Sequence, residues 1–356
     1  MRKNLFIILL LAGILNQSAK AQYFTVRVAG GYAWPGLIKS EGITGPVIDA
    51  RHPERDALGP MANIIANDST KSVSPIRGSY GQGMNFTLGL GYMINPYIGV
   101  ELGVSYLKSV TMTCHQRHEI LINSGTLDYG PWQAFGYYLN VDMATNAYGL
   151  SLMPAIIING AKPGWKVYPY GRIGVSMPIF GGQKTTIDIK PDDNLSTDAP
   201  SLFDKISAAP YFLGHETKAT LKTEGTVSLG VNGAIGIAYK PFPLLTVTAE
   251  LNGQYLVTRA KSAKITQWDA DGVSKLNDRG IYRTQFNFVD RIDESSNNGD
   301  YNHSTNGVSK YDPTKPKDDL RPTGPFSNIG FNIGVCLNLS KEILKSFKEK
   351  KKKSAK

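Results

Sequence analysis

From Gly83 to Tyr106 the sequence GMNFTLGLGYMINPYIGVELGVSY alternates strictly on both sides of Asn95-Pro96. Met84, Phe86, Leu88, Leu90, Tyr92 and Ile94 share one parity, and Asn85, Thr87, Gly89 and Gly91 share the other. Side chains of a strand point alternately to opposite faces, so this stretch predicts a two-faced hairpin. In a water-soluble sheet the face opposite the apolar one usually carries charged and hydroxylated groups. Here it is mostly Gly, Asn and Ser, with Glu101 the one charge, a poor surface to offer water. The alternation therefore raises the question of which face is the inside.

Seven further stretches repeat the pattern, or half of it. They centre on Phe24–Trp34, Ile98–Tyr106, Tyr148–Ile158, Val167–Ile179, Val227–Tyr239, Leu245–Val257 and Ile329–Leu339. Together with the first arm of the opening hairpin they make eight strands of roughly ten residues, the length a tilted strand needs to cross an apolar layer. Short turns at Asn95-Pro96, Asn159-Gly160 and Pro241-Phe242-Pro243 join strands two and three, four and five, and six and seven. The remaining connections are long. Sorting short turns to one side and long loops to the other is the habit of barrels that span a membrane. Within the apolar layer no sheet edge is tolerated, so eight strands must close. The bulky set then faces lipid, and Gly, Ser, Asn and Thr pack a narrow lumen. Trp34, Tyr92, Tyr97, Trp165, Tyr239 and Phe242 fall near strand ends, where interfacial aromatics belong.

The chain begins with Met1-Arg2-Lys3, an apolar run from Leu5 to Leu15 and Ala19-Lys20-Ala21, which predicts a cleaved export signal over residues 1–21. Residues 22–340 are then the barrel and 341–356 a basic tail facing the periplasm. The formal charge of +10 is a property of the two ends. Arg2, Lys3 and Lys20 contribute +3, eight Lys and two Glu in the tail contribute +6, and about +1 remains for the body. No nucleic-acid surface follows from that distribution.

Read whole, the chain resembles the eight-stranded outer-membrane β-barrel proteins of Gram-negative bacteria, the OmpA/OmpX-like group. The resemblance rests on the leader and the strand pattern. It implies an all-β, eight-stranded antiparallel transmembrane barrel in the outer membrane, with long extracellular loops and short periplasmic turns. The final strand departs from the group by ending at Leu339 before a basic extension, where a terminal aromatic is frequent. The short stretch 341–356 is not expected to form the soluble peptidoglycan-binding domain that some members of the group carry after the barrel.

Four charges share the luminal parity: Arg27, Glu101, Arg172 and Glu250. They lie on strands one, three, five and seven, at comparable distances from the short-turn end, so they are expected in one layer that neutralises itself. An unpaired charge in so tight an interior costs several kcal/mol. The layer reads as a plug that closes the lumen and fixes register, with a gate for small or hydrophobic solutes as the alternative.

Other candidates carry less. Cys114, His115 and His118 sit within CHQRHE and are weak metal ligands, because the spacing matches no closed site and Arg117 lies among them. The segment reads as the start of a solvated loop. Cys114 and Cys336 are expected at opposite ends of the barrel, too far apart for a disulfide. His52, His115, His118, His215 and His303 show no triad spacing, so a membrane hydrolase is the weakest reading and neither enzymatic activity nor a cofactor is expected. Pro154 and Pro169 predict a bulge or break in the lower wall, since proline cannot donate to a ladder. Ile281–Val289 alternates enough to extend a hairpin above the membrane. Expected partners are outer-membrane lipid, an extracellular ligand of unknown identity held by the loops and, through Ile343, Leu344, Phe347 and the tail lysines, the cell wall or anionic headgroups.

Overall fold

The computed structural model of the chain describes residues 23–35, 44–45, 59–60, 62–66, 71–76, 78–122, 135–162, 164–191, 216–299, 301–302 and 310–340. The expected leader (1–21) and tail (341–356) lie outside them. Eight long strands form the wall: β1 Tyr23–Pro35, β2 Gly83–Met93, β3 Ile98–Ser109, β4 Phe135–Asn159, β5 Val167–Pro191, β6 Gly230–Phe242, β7 Leu245–Tyr255 and β8 Asn328–Ser340. Each pairs antiparallel with its sequence neighbour, and β8 returns to β1 through thirteen opposed residues from Tyr23↔Ser340 to Pro35↔Asn328. The sheet is closed. Among the described residues no helix is long and apolar enough to cross a bilayer.

The three short connections lie at one end. Asn95 holds the first by accepting hydrogen bonds at Oδ1 from the backbone N–H of Tyr97 (2.8 Å) and Ile98 (2.7 Å), so its side chain stands in for a turn carbonyl. From that end upward the outer face is apolar: Phe24, Val28, Leu88, Leu90, Leu102, Ile156, Ile173, Ile235 and Ile333 are all about half exposed or more. Their opposite numbers, including Thr25, Asn85, Thr87, Ser151, Ser176, Asn232, Thr246 and Asn332, are buried in the lumen. The described strands thus turn their bulky groups outward, as a wall that faces lipid requires.

The wall continues well above this band. β4 and β5 are each 25 residues long, and their upper halves join strands Met112–Ile122, Thr217–Thr226 and Val257–Ala270 in one antiparallel sheet. In this cap the polarity of the faces is reversed. On β4, Val141, Met143 and Ala147 point inward with Asp142 and Asn146 outward, whereas below Tyr148 the outward set is Leu150, Leu152, Ile156 and Ile158. Tyr80, Met112, Cys114, Val141, Met143, Ile187, Ile189 and Trp268 form an apolar core inside the cap. A second cluster joins Leu221 and Ala263 to Phe286 and Phe288. The reversal marks where the surroundings change from hydrocarbon to water.

One expectation about the strands needs correction and another is met in part. Ile281–Val289 is not one extended arm: Gly280–Thr284 is a short helix, and Gln285–Val289 is a strand that pairs antiparallel with Ser262–Lys264 and parallel with Lys317–Leu320. Thr284, whose hydroxyl bonds back to the Gly280 carbonyl at 2.7 Å, closes the helix, and alternation begins only after it. The β4–β5 register slips at Pro178/Phe180, higher than expected. Near Pro154 the β4–β5 pairing lapses between Gly174↔Ala155 and Met177↔Leu152 without a slip, and Pro169 stands opposite Ile237 of β6. Proline removes a donor at all three places. At Pro178 the chain also inserts an extra residue, Ile179, which lets even-numbered residues of β5 face the lumen below and odd-numbered ones face the cap core above.

Candidate functional site: the luminal charge layer

Four side chains meet across the lumen from alternate strands: Arg27 from β1, Glu101 from β3, Arg172 from β5 and Glu250 from β7. The intervening strands supply mostly small residues at the same height, among them Gly89 and Gly91 on β2, Ala155 on β4 and Ala234 and Gly236 on β6. The space they leave is what the long charged side chains fill. A Cβ on Gly89 would lie 2.7 Å from Cδ of Glu101, so the carboxylate occupies the volume that a larger β2 residue would take.

The charges alternate around a ring. Arg27 donates to Glu101 through Nε (3.0 Å) and Nη2 (2.8 Å), the bidentate fit of a guanidinium to a carboxylate. Its Nη1 reaches Glu250 Oε1 at 3.5 Å. Arg172 spans the other two gaps, with Nη1 3.1 Å from Glu101 Oε1 and Nη2 2.6 Å from Glu250 Oε1. Glu250 also accepts from the Tyr170 hydroxyl at 2.7 Å and from Asn332 Nδ2 at 3.4 Å. All four charged side chains are at most 8% exposed. Burial this complete is tolerable because each carboxylate faces both guanidiniums and the layer is neutral.

Residues around the layer complete the filling. Above it, a cavity of about 40 Å³ lies among Asn85, Thr87, Asn232, Asn252 and Asn332. Below it, a cavity of about 50 Å³ lies among Thr25, Tyr168, Thr246, Cys336 and Asn338. Each admits a few waters at most. Gln254 bonds Ser176 across the upper space at 2.8 Å, and beside the lower one Asn338 bonds Thr246 of the neighbouring strand at 2.9 Å. Tyr170 and Asn332 are partners of Glu250 that reading for charge alone passes over. Their inward parity and their height on β5 and β8 were the available signal.

The other candidates separate. CHQRHE is not a solvated loop but belongs to strand Met112–Ile122, paired with β4. Consecutive strand residues diverge, so Cys114 is buried in the cap core while His115 points outward and bonds Asp142 through Nδ1 at 2.7 Å. Those two cannot share a metal ion. The side chain of His118 lies outside the described residues, as do His52, His215 and His303. Cys114 and Cys336 form no disulfide with each other: one lies in the cap and one directly opposite Arg27.

Two solved structures align over most of the chain. The outer membrane protein OprG from Pseudomonas aeruginosa is 14% identical, with 91% of this chain and 98% of that one covered and a TM-score of 0.33. A major outer membrane protein from Thermus thermophilus is 13% identical, with 90% and 100% covered and a TM-score of 0.32. Among curated proteins none matches. The family model described as "Outer membrane protein beta-barrel domain" matches residues 7–287. With most of its length matched and its wall closed by eight strands, the chain belongs to the outer-membrane protein β-barrel domain family and resides in the outer membrane.

Proposed function

We propose that this is a sealed outer-membrane barrel, a structural and surface-interaction protein whose charge layer closes the lumen and whose cap presents the binding surface. The observation that carries this reading is the ring itself. Arg27, Glu101, Arg172 and Glu250 span the lumen with contacts of 2.6–3.5 Å, and the cavities that adjoin the layer are about 40 and 50 Å³. A solute moving through would have to break more than one buried ion pair at once, at a cost of several kcal/mol. The cap adds a rigid, polar-faced extension with its own apolar core, the kind of scaffold on which surface loops carry recognition. Nothing in this reading requires catalysis.

The competing reading is a narrow channel in which the pairs exchange partners as a solute passes. Planar-bilayer recording of the refolded protein separates the two. The sealed barrel predicts a silent bilayer for the unaltered protein. Steady openings whose conductance shifts in Glu101→Gln or Glu250→Gln would establish the channel in its place.

A further inference from the structure

On the outer wall just above the apolar band, Lys184 of β5 stands directly opposite Lys222 of the Thr217–Thr226 strand, and Lys222 stands directly opposite Lys264 of the Val257–Ala270 strand. Neighbouring strands are about 4.8 Å apart, so three ammonium groups are rooted within roughly 10 Å. All three are exposed, and none has a hydrogen bond or ion pair with another described residue. Like charges directly opposite one another destabilise a sheet. Two other lysines of the upper wall are matched: Lys190 pairs with Asp188 and Lys218 with Glu216, each at 3.2 Å. Arg259 and Lys261 extend the basic patch on the Val257–Ala270 strand, and Glu224 is the acidic side chain at its lower edge.

The height of the row is fixed by its neighbours. The tilted rings of Tyr148 and Phe180 lie 5.8 Å apart at the upper limit of the apolar band, and Tyr148 pairs with Gly182, two residues below Lys184. The lysines therefore sit about 7 Å above an aromatic pair, at the level of headgroups.

Directly beneath the row the wall has a break. β5 pairs with β6 as far as Ser176↔Gly230 and with the Thr217–Thr226 strand from Gly182↔Glu224 onward, which leaves Met177–Gly181 without a partner on that side. An apolar recess of about 110 Å³ fills the break. Ile179, Phe180 and Val227 line it on the lipid side, and Leu256, Ser151 and Phe326 line it deeper in. Val227 and Leu229, which flank the opening, are 67% and 73% exposed.

From these two features at one place we infer that this face binds a phosphorylated lipid of net negative charge from the surrounding outer leaflet. Its phosphate lies on Lys184, Lys222 and Lys264, and one acyl chain enters the recess at the β5 break. The row supplies positive charge at headgroup height, and the recess supplies an apolar slot below it that opens on hydrocarbon. Neither feature is needed to seal the lumen.

Native mass spectrometry of the full-length protein, released from vesicles of equimolar phosphatidylglycerol and phosphatidylcholine, tests this. The protein is expected to retain phosphatidylglycerol over phosphatidylcholine by roughly tenfold, since each lysine near a membrane surface adds substantially to anionic-lipid attraction. Lys184→Gln/Lys222→Gln/Lys264→Gln is expected to bring that ratio close to one, and the corresponding triple Lys→Arg variant to preserve it. Gly149→Leu fills the recess from inside, where a Cβ meets Phe326 and the Phe180 carbonyl at ordinary contact distances of 3.6 and 3.8 Å. It is expected to reduce the amount of lipid retained several-fold. Millimolar inorganic phosphate, at matched ionic strength, is expected to leave the preference intact, because the site holds a lipid and not a free anion. Equal retention of the two lipids by the unaltered protein, a preference that survives the triple Gln variant in folded protein, loss of the preference to free phosphate, or unchanged retention in Gly149→Leu would each overturn the inference.

Discussion

At the scale of single residues, the layer stands or falls by charge balance. Glu250 touches Arg172 at 2.6 Å and Arg27 at 3.5 Å and is virtually sealed from solvent. Glu250→Gln would leave two guanidiniums facing one carboxylate. The expected loss is about 3–5 kcal/mol, read as a lower urea midpoint for the refolded protein. Replacing Arg172 and Glu250 together by Met restores neutrality and should cost less than the single change. Additive losses would show that the pair is not coupled.

A second residue-scale case lies in the cap. The Asp312 carboxylate accepts from the Thr314 hydroxyl at 2.6 Å and its backbone N–H at 2.9 Å, and lies 3.1 Å from Lys315. These contacts lower its pKa from an ordinary 3.8 to about 2. A depressed carboxylate contributes stability that is fully present above the unfolded value and is lost as pH falls through the folded one. The protection factor of the Thr314 amide should therefore hold at pH 4 and fall between about pH 3.8 and 2. A loss already complete at pH 4 would refute the assignment.

At the scale of elements, the membrane-spanning region was legible and the cap was not. Period-two alternation with Gly and Asn opposite Leu and Phe identifies strands such as β2 and β8, because in lipid the pattern must be one-sided along its whole length. The four luminal charges stood out for the same reason, being large polar groups on a face otherwise made of small ones. The upper halves of β4 and β5 hid because their alternation carries the opposite sense. Val141, Met143, Ile187 and Ile189 are the inward residues there, and a search for outward apolar groups passes over them. The slip at Pro178/Phe180 compounds this, since a parity carried up from Tyr170 and Arg172 assigns Thr185 and Ile187 to the wrong face. Ile179 is the inserted residue, so its deletion should straighten β5 without turning Ile187 or Ile189 outward. The variant is expected to keep its heat-modifiable electrophoretic mobility and a protease-resistant cap. Digestion of the cap in an otherwise folded barrel would mean that the bulge does more than absorb one residue.

At the scale of the whole molecule, one closed sheet serves two solvents. In its lower region the wall is apolar outside and the lumen is packed with Asn, Thr, Ser, Gly and a neutral charge ring. Above Tyr148 the wall is polar outside and encloses an apolar core. The same strands carry both arrangements, so the boundary is set by side-chain chemistry and not by the end of an element. This explains how a narrow barrel projects a rigid surface beyond the membrane, and why the exposed lysine row lies where the two regimes meet.

The most direct test of that two-regime wall uses spin labels on the outward face of β4, in protein with Cys114 and Cys336 replaced by Ser. Labels at Leu152 and Ile156 are predicted to be reached by oxygen dissolved in the acyl chains and shielded from an aqueous nickel chelate, and labels at Asp142 and Asn146 to behave in the opposite way. Aqueous access at Leu152 and Ile156 equal to that at Asp142 would contradict the account.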